Sequence, residues 1–312
     1  MNITNVYTST NSFKLASHIS QFLGVPLSQN IHTIFSNSEQ KITITDSPQG
    51  NTCIFIHATG YPVDPSLMEL FFTLDALKRN GSRRLVVVVP YLGYMRQDKQ
   101  HNAGECISLD VIARLLKSMY CDVFITVNMH NNFSSQLFTL PITILDATPI
   151  LTSTVNKMLK KIYTNSPQQI VVVAPDKGAV EQAQTFIQCL DISFTPTLAV
   201  IDKKRDKKTN KPHIEGVRGD FHNKIAIIVD DIITSGDTLF QTALKAKQLG
   251  AREVYGAVVH NDLIKTAYNK LSSSPITKLF MTDSSSNLQK NSKIVTCSIA
   301  ELIGKELSQF IT

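Results

Sequence analysis

The chain has 312 residues, 43% hydrophobic and 18% charged, with 31 Lys plus Arg against 25 Asp plus Glu. That composition buries enough apolar surface to offset conformational entropy, which excludes a disordered or fibrous chain, and the length suggests about two domains. The excess of six positive charges suits phosphate-bearing ligands, while the absence of Trp and of a long basic arm argues against a dedicated nucleic-acid binder.

Met1 to Thr10 is polar and carries no cationic, apolar export signal. From there, short β-branched runs alternate with longer amphipathic stretches. A helix is predicted over Ser12 to Leu23, a strand over Cys53 to His57 and a helix over Pro65 to Arg79. A strand follows over Arg84 to Pro90, a helix over Ser108 to Ser118 and a strand over Val123 to Asn128. The second half repeats the rhythm. Its strands are Ile170 to Ala174, Thr197 to Ile201, Lys224 to Asp230 and Glu253 to His260. Its helices are Ala179 to Cys189 and Asp237 to Leu249, with Gly250 as C-cap.

Strands that read as continuous apolar runs between helices argue for mainly parallel sheets covered on both faces, hence an α/β fold. We place the domains at 1–147 and 148–312, with the break least defined near Asp146 to Asn156. The segment from about Lys293 is a candidate for packing back on the first domain. Runs such as Leu85 to Val89 are far shorter than the ~20 residues that span a bilayer, so no membrane segment is expected. Five cysteines, an odd count without a C-x-x-C pair, argue against a disulfide framework or structural zinc and for the cytoplasm.

The strongest local signal is Ile227-Ile228-Val229-Asp230-Asp231-Ile232-Ile233-Thr234-Ser235-Gly236-Asp237-Thr238. A hydrophobic strand ends in two carboxylates, a hydroxyl- and glycine-bearing turn follows, and then a helix. Backbone N–H groups at such a helix start present partial positive charge to a phosphate. Thr234, Ser235 and Thr238 add hydroxyls, and Gly236 permits close backbone approach. Asp230 and Asp231 suit sugar hydroxyls or a hydrated Mg²⁺. The bland alternative is an ordinary capped helix. Elsewhere, Lys203 to Lys211 holds six basic residues in nine, which taken alone reads as a solvated loop.

The acidic pair and hydroxyl turn resemble the phosphoribosyl-diphosphate-binding signature of type I phosphoribosyltransferase folds. Pro90-Tyr91-Leu92-Gly93-Tyr94-Met95-Arg96-Gln97-Asp98-Lys99 narrows the resemblance to ribose-phosphate pyrophosphokinases (PRPP synthetases). Phe35-Ser36-Asn37-Ser38-Glu39, Asn128-Met129-His130, Ala174-Pro175-Asp176-Lys177-Gly178 and Asp202-Lys203-Lys204-Arg205 follow in that family's order. Asn102-Ala103-Gly104-Glu105 and the Ala174–Ala179 segment look most similar to archaeal members.

The resemblance implies two phosphoribosyltransferase-like domains. It also implies transfer of the β,γ-diphosphoryl group of ATP to O1 of ribose 5-phosphate, with release of AMP. Phe35 would stack on adenine, with Asn37 and Glu39 on the same loop. Arg96 and Gln97 would contact ATP, and an Arg fork suits phosphate oxygens. His130 and Asp176 correspond to Mg²⁺ ligands, direct or through water, although imidazole is an unusual donor for that ion. Lys203 and Arg205 correspond to the cations of a mobile catalytic loop that offset charge on the moving group. Asp230 and Asp231 would hold ribose hydroxyls, and Thr234, Ser235, Gly236, Asp237 and Thr238 the 5-phosphate. In relatives the adenine loop is donated by a neighbouring subunit, so a homo-oligomer, dimer to hexamer, is implied.

Departures from the family pattern bear on regulation. Asn37, Ser38, Asn128 and Asp237 differ from common members. Gln49 and Gly104 stand where regulated members carry arginines. Phosphate is therefore expected not to be an essential activator, and ADP to inhibit only by competition. Three alternatives remain open at the level of sequence: a PRPP-consuming phosphoribosyltransferase, a non-catalytic regulatory homologue, and a nucleic-acid binder using the basic run. The Pro90–Lys99 segment and the Lys203–Arg205 pair argue against the first. Retention of the site residues argues against the second, and the lack of interleaved aromatics against the third.

Overall fold

A computed structural model describes residues 4–163, 169–191, 193–205, 212–285 and 291–311. The chain divides into two compact units. One comprises residues 1–146, 284–286 and 298–312, and the other residues 147–283 and 287–297.

The first unit runs β1 (Thr4–Thr8), α1 (Phe13–Leu23), β2 (Asn30–Ile34), β3 (Gln40–Ile44), β4 (Thr52–Ile56), α2 (Val63–Arg79), β5 (Arg84–Val89), α3 (Ser108–Ser118), β6 (Val123–Val127) and β7 (Ile142–Leu145). Its main sheet is parallel, in the order β1-β4-β5-β6-β7. β4 and β6 are buried at every residue, and β5 beyond Arg84, as expected of strands covered on both faces. Tyr7, Phe55, Leu70, Leu74, Val87 and Phe124 share one core with them. β2 and β3 form a separate antiparallel hairpin.

His57 is among the polar groups buried in this unit. His57 is fully buried at the end of β4, with Nδ1 2.6 Å from Ser9 Oγ and Nε2 2.8 Å from the Ser66 carbonyl. Burial pushes its imidazole down to about 4, so at neutral pH it stays uncharged and satisfied.

The second unit continues with α4 (Thr148–Ile162), β8 (Gln169–Ala174), α5 (Val180–Cys189), β9 (Thr195–Arg205), β10 (Pro212–Arg218), β11 (Ile225–Ile233), α6 (Asp237–Gln248), β12 (Glu253–Asn261), α7 (Lys265–Ser273), β13 (Lys278–Thr282) and β14 (Ile294–Cys297). The sheet order is β10-β9-β8-β11-β12-β13-β14, parallel except for β10 against β9. β8 therefore has β9 on one side and β11 on the other, and the direction of winding reverses between β8 and β11. Open α/β sheets bind ligands beyond the carboxyl ends of strands at such a point.

The chain then returns to the first unit as α8 (Ala300–Leu307), which packs on α1. A Cβ on Gly304 would stand 2.4 Å from Phe22 Cδ1, so only glycine admits this approach. Thr4 Oγ1 donates to the Phe310 carbonyl at 3.0 Å, and the Arg84 guanidinium lies 5.0 Å from the Phe310 ring centroid.

The structure extends two predicted strands. β11 runs to Ile233, three residues beyond the predicted end at Asp230, so both Asp230 and Asp231 lie within the strand. β9 runs to Arg205, so the basic segment expected to be a loop from Lys203 begins as strand. There Pro212 is paired with Arg205 and Ile214 with Lys203. Residues 206–211 lie outside the described residues.

Candidate active site

In the first unit, the turn between β2 and β3 presents Phe35. The Phe35 N–H donates to the Glu39 carbonyl at 2.8 Å, and Ser38 N–H donates to the Phe35 carbonyl at 2.9 Å. Ser38 turns the chain with φ +70°, and Asn37 Oδ1 accepts the Glu39 N–H at 3.2 Å. The Phe35 ring is 47% exposed at this polar tip, which is the wrong place for a core aromatic and a suitable one for stacking. Asn37 and Glu39 are exposed beside it.

The segment after β5 carries Arg96 and Gln97. Tyr94 takes a left-handed φ of +66°, and its hydroxyl donates to Asp64 Oδ1 of α2 at 2.5 Å. Gln97 N–H returns to the Tyr94 carbonyl at 2.9 Å. Ser108 Oγ donates to Gln97 Oε1, so the Gln97 amide offers its nitrogen to a ligand. Arg96 is exposed.

His130 follows β6, the strand next to β5, through Asn128, whose φ is +34° and whose Nδ2 donates to Asp146 at 3.0 Å. Ser134 Oγ donates to Asp98 Oδ2 at 2.7 Å and joins the two segments. The first unit thus gathers Arg96, Gln97 and His130 beyond the carboxyl ends of two adjacent parallel strands.

The second unit gathers its candidates around the reversal of winding. Asp176 follows β8. Its Oδ1 accepts the N–H groups of Gly178 at 2.9 Å and Ala179 at 3.2 Å, which caps the approach to α5. Asp230 and Asp231 lie near the end of the neighbouring β11, where Asp231 N–H donates to Asp230 Oδ1 at 3.0 Å and Gln182 Nε2 donates to the Asp230 carbonyl at 3.1 Å. Burial, and then the charges of Asp231 and Asp176, push the Asp230 carboxyl well above its ordinary value. A cluster of this kind is poised to receive cations or hydroxyl donors.

The turn after β11 reaches α6 at Gly236, whose φ is +72° and whose added Cβ would meet Phe240 Cε2 at 2.2 Å. Backbone conformation and space both demand glycine here. Thr234, Ser235, Asp237 and Thr238 are half-buried around it. The structure resolves the oddity of Asp237, a carboxylate in a phosphate-type turn. Lys270 Nζ of α7 pairs with its Oδ1 at 2.6 Å, which offsets its charge. Lys203 and Arg205 close β9 by their backbone, and their side chains lie outside the described residues.

The sequence profile of the N-terminal domain of ribose phosphate pyrophosphokinase matches residues 4–119, and that of the phosphoribosyl transferase domain matches residues 141–287. Ribose-phosphate pyrophosphokinase 1 of Streptococcus agalactiae is 31% identical over 305 residues, 97% of this chain and 92% of that protein. The ribose-phosphate pyrophosphokinase of Aquifex aeolicus is 32% identical over 308 residues, 98% and 96% of the two chains. The crystal structure of phosphoribosylpyrophosphate synthetase from Mycobacterium smegmatis superposes with a TM-score of 0.88 at 25% identity, covering 98% of each chain. The chain belongs to the ribose-phosphate pyrophosphokinase family.

Within that family frame, several partners of the candidate residues are not legible in sequence. Asp64, Ser108 and Ser134 hold the Arg96 and His130 segments, and Lys270 holds Asp237. Each lies 11 to 36 positions from its partner, so only the fold brings them together. No three His, Cys, Asp or Glu side chains converge on a metal-sized point among the described residues. The carboxylates of the second unit still fit Mg²⁺ chemically. That ion takes oxygen donors, keeps several waters and completes its shell with substrate phosphates rather than an all-protein cage.

Proposed function

We propose that this chain is a ribose-phosphate diphosphokinase that makes 5-phosphoribosyl 1-diphosphate and AMP from ATP and ribose 5-phosphate. The observation that carries it is the end-to-end match to ribose-phosphate pyrophosphokinases, which spans both units. The O1 hydroxyl of the ribose attacks the β-phosphorus of ATP. The bond between that phosphorus and the oxygen bridging to the α-phosphate breaks, AMP leaves with the bridging oxygen, and the O1 proton passes to solvent.

The residues divide this work. Phe35 stacks on adenine, with Asn37 and Glu39 at its edge, and Arg96 and Gln97 bind the nucleotide. Asp230 and Asp231 orient the ribose hydroxyls. The Thr234–Thr238 turn holds the 5-phosphate on backbone N–H groups at the start of α6. Lys203 and Arg205 offset negative charge on the diphosphoryl group in flight, the largest single contribution expected of side chains in such a transfer. Asp176 in the second unit and His130 in the first would each offer a donor to Mg²⁺, which would neutralise phosphate charge. Positioning and charge compensation suffice, and no general base is required.

What supports a cytoplasmic setting is the odd count of five cysteines without a C-x-x-C pair. What supports a homo-oligomer is the exposed tip of the Phe35 hairpin, which the family resemblance assigns to a neighbouring subunit's site. Incubation of the purified chain with ATP, Mg²⁺ and ribose 5-phosphate tests the proposal by chromatography. AMP forms in step with the ribose diphosphate. ADP in its place, or no turnover, contradicts it.

A further inference from the structure

Among the described residues the hairpin that carries Phe35 pairs with no third strand, and a lone two-stranded hairpin is marginal in water. At its base the Ser28 N–H donates to the Val6 carbonyl at 2.7 Å, and near the tip side-chain contacts run to α2. His32 Nδ1 of β2 lies 3.2 Å from Glu69 Oε1. His32 Nε2 lies 3.0 Å from Gln40 Oε1 of β3, and Gln40 Nε2 donates to the Pro65 carbonyl at 2.9 Å. One network thus fastens both strands of the hairpin to the first two turns of α2.

The network has an unusual member. Glu69 is only 5% exposed; burial pushes its carboxyl up and His32 pulls it back. Burying such a pair rarely stabilises a fold more than apolar packing does, and its best-attested use is to specify one arrangement. Geometry gives the arrangement a purpose. Phe35 lies three residues beyond His32, about 10 Å along the strand, so a tilt of about 10° at the tether displaces the ring by about 2 Å. The same helix start grips the Arg96 segment through Asp64 and Tyr94, so the base that anchors the hairpin is itself fixed.

We infer that Glu69, His32 and Gln40 are positioning residues: acting through the hairpin, they set the place of the Phe35 ring and thereby the affinity for the nucleotide base. This rests on the assignment of Phe35 to adenine under the proposed function. None of the three is among the residues assigned to the phosphates or the ribose, so the effect is expected on ATP binding alone.

Initial rates of the full-length chain, with ATP and ribose 5-phosphate varied in turn, test it. Phe35→Ala serves as the reference and is expected to raise KM for ATP about tenfold. Glu69→Ala is expected to raise KM for ATP about three- to tenfold, with kcat and KM for ribose 5-phosphate held within about twofold. Glu69→Gln, which keeps an oxygen for His32, is expected to restore most of the loss. If Glu69→Ala fails to fold, His32→Ala and Gln40→Ala read the same split. A raised KM for ATP in Phe35→Ala beside an unchanged one in the tether variants overturns this inference alone. So does a loss shared by kcat and both KM values. An unchanged KM for ATP in Phe35→Ala overturns the adenine assignment and this inference with it.

Discussion

At the scale of single residues, the second unit stores repulsion where ribose 5-phosphate is proposed to bind. Asp230 is pushed well above its ordinary value by burial and by Asp231 and Asp176. An acid of this kind favours the folded chain fully below its unfolded pKa of 3.8, and that contribution is lost as pH rises through the raised folded value. Asp230→Asn is therefore expected to raise the Tm of the ligand-free protein by about 2–4 °C at pH 7.5 while it lowers kcat/KM for ribose 5-phosphate. Differential scanning calorimetry beside initial rates checks both. A Tm that falls contradicts the stored repulsion. Lys203 makes the complementary prediction. Lys203→Ala is expected to cost about 10²–10³ in kcat with Tm unchanged, because the proposed role is confined to the transition state.

At the scale of elements, the turn from β11 into α6 depends on one residue. Gly236→Ala places a Cβ at φ +72° and 2.2 Å from Phe240. The left-handed backbone costs roughly 1–2 kcal/mol and the clash roughly 1–3 more. The variant is expected to unfold at lower urea concentration with an unchanged m-value, and to lose ribose 5-phosphate affinity. Normal stability contradicts the reading of the turn.

The elements also show what the sequence conveys and what it withholds. Buried parallel strands such as Leu85–Val89 and Ile170–Ala174 were legible because both their faces are covered, so every position is apolar. β1, β7 and β10 were not, because they carry polar residues and stand at or next to a sheet edge. The Phe35 hairpin alternates half-buried and exposed positions and is joined by a five-residue turn without the usual Asn-Gly signal, so only its tip was read. The basic run from Lys203 looked like loop throughout because charge masks strand pattern, yet its first three residues complete β9. The site motifs were readable as chemistry, whereas their anchors Asp64, Ser134 and Lys270 had no local signature.

At the scale of the whole molecule, stability has an acid limit that the core itself sets. His57 is held down to about 4 from 6.5. The depression is equivalent to about 3 kcal/mol. That contribution is present above pH 6.5 and is lost as pH falls through about 4, because the unfolded chain binds the proton first. Urea midpoints from pH 7 down to pH 4 are expected to fall, and His57→Gln is expected to flatten that slope even if it is less stable at pH 7. Regulation is the other molecular property. With Gln49 and Gly104 in place of arginines, initial rates are expected to persist without inorganic phosphate, and ADP to raise KM for ATP without lowering kcat. A complete dependence on phosphate contradicts this.

The central claim is that the ribose O1 oxygen, poised beside the acidic end of β11, captures the β-phosphorus of ATP. The most direct measurement follows ribose 5-phosphate labelled with ¹⁸O at C1 through turnover by ³¹P NMR and mass spectrometry. The label is expected to stay wholly in the sugar diphosphate, bonded to the phosphorus that was β in ATP, with AMP unlabelled. Label in AMP, or formation of ADP with a singly phosphorylated C1, would contradict it.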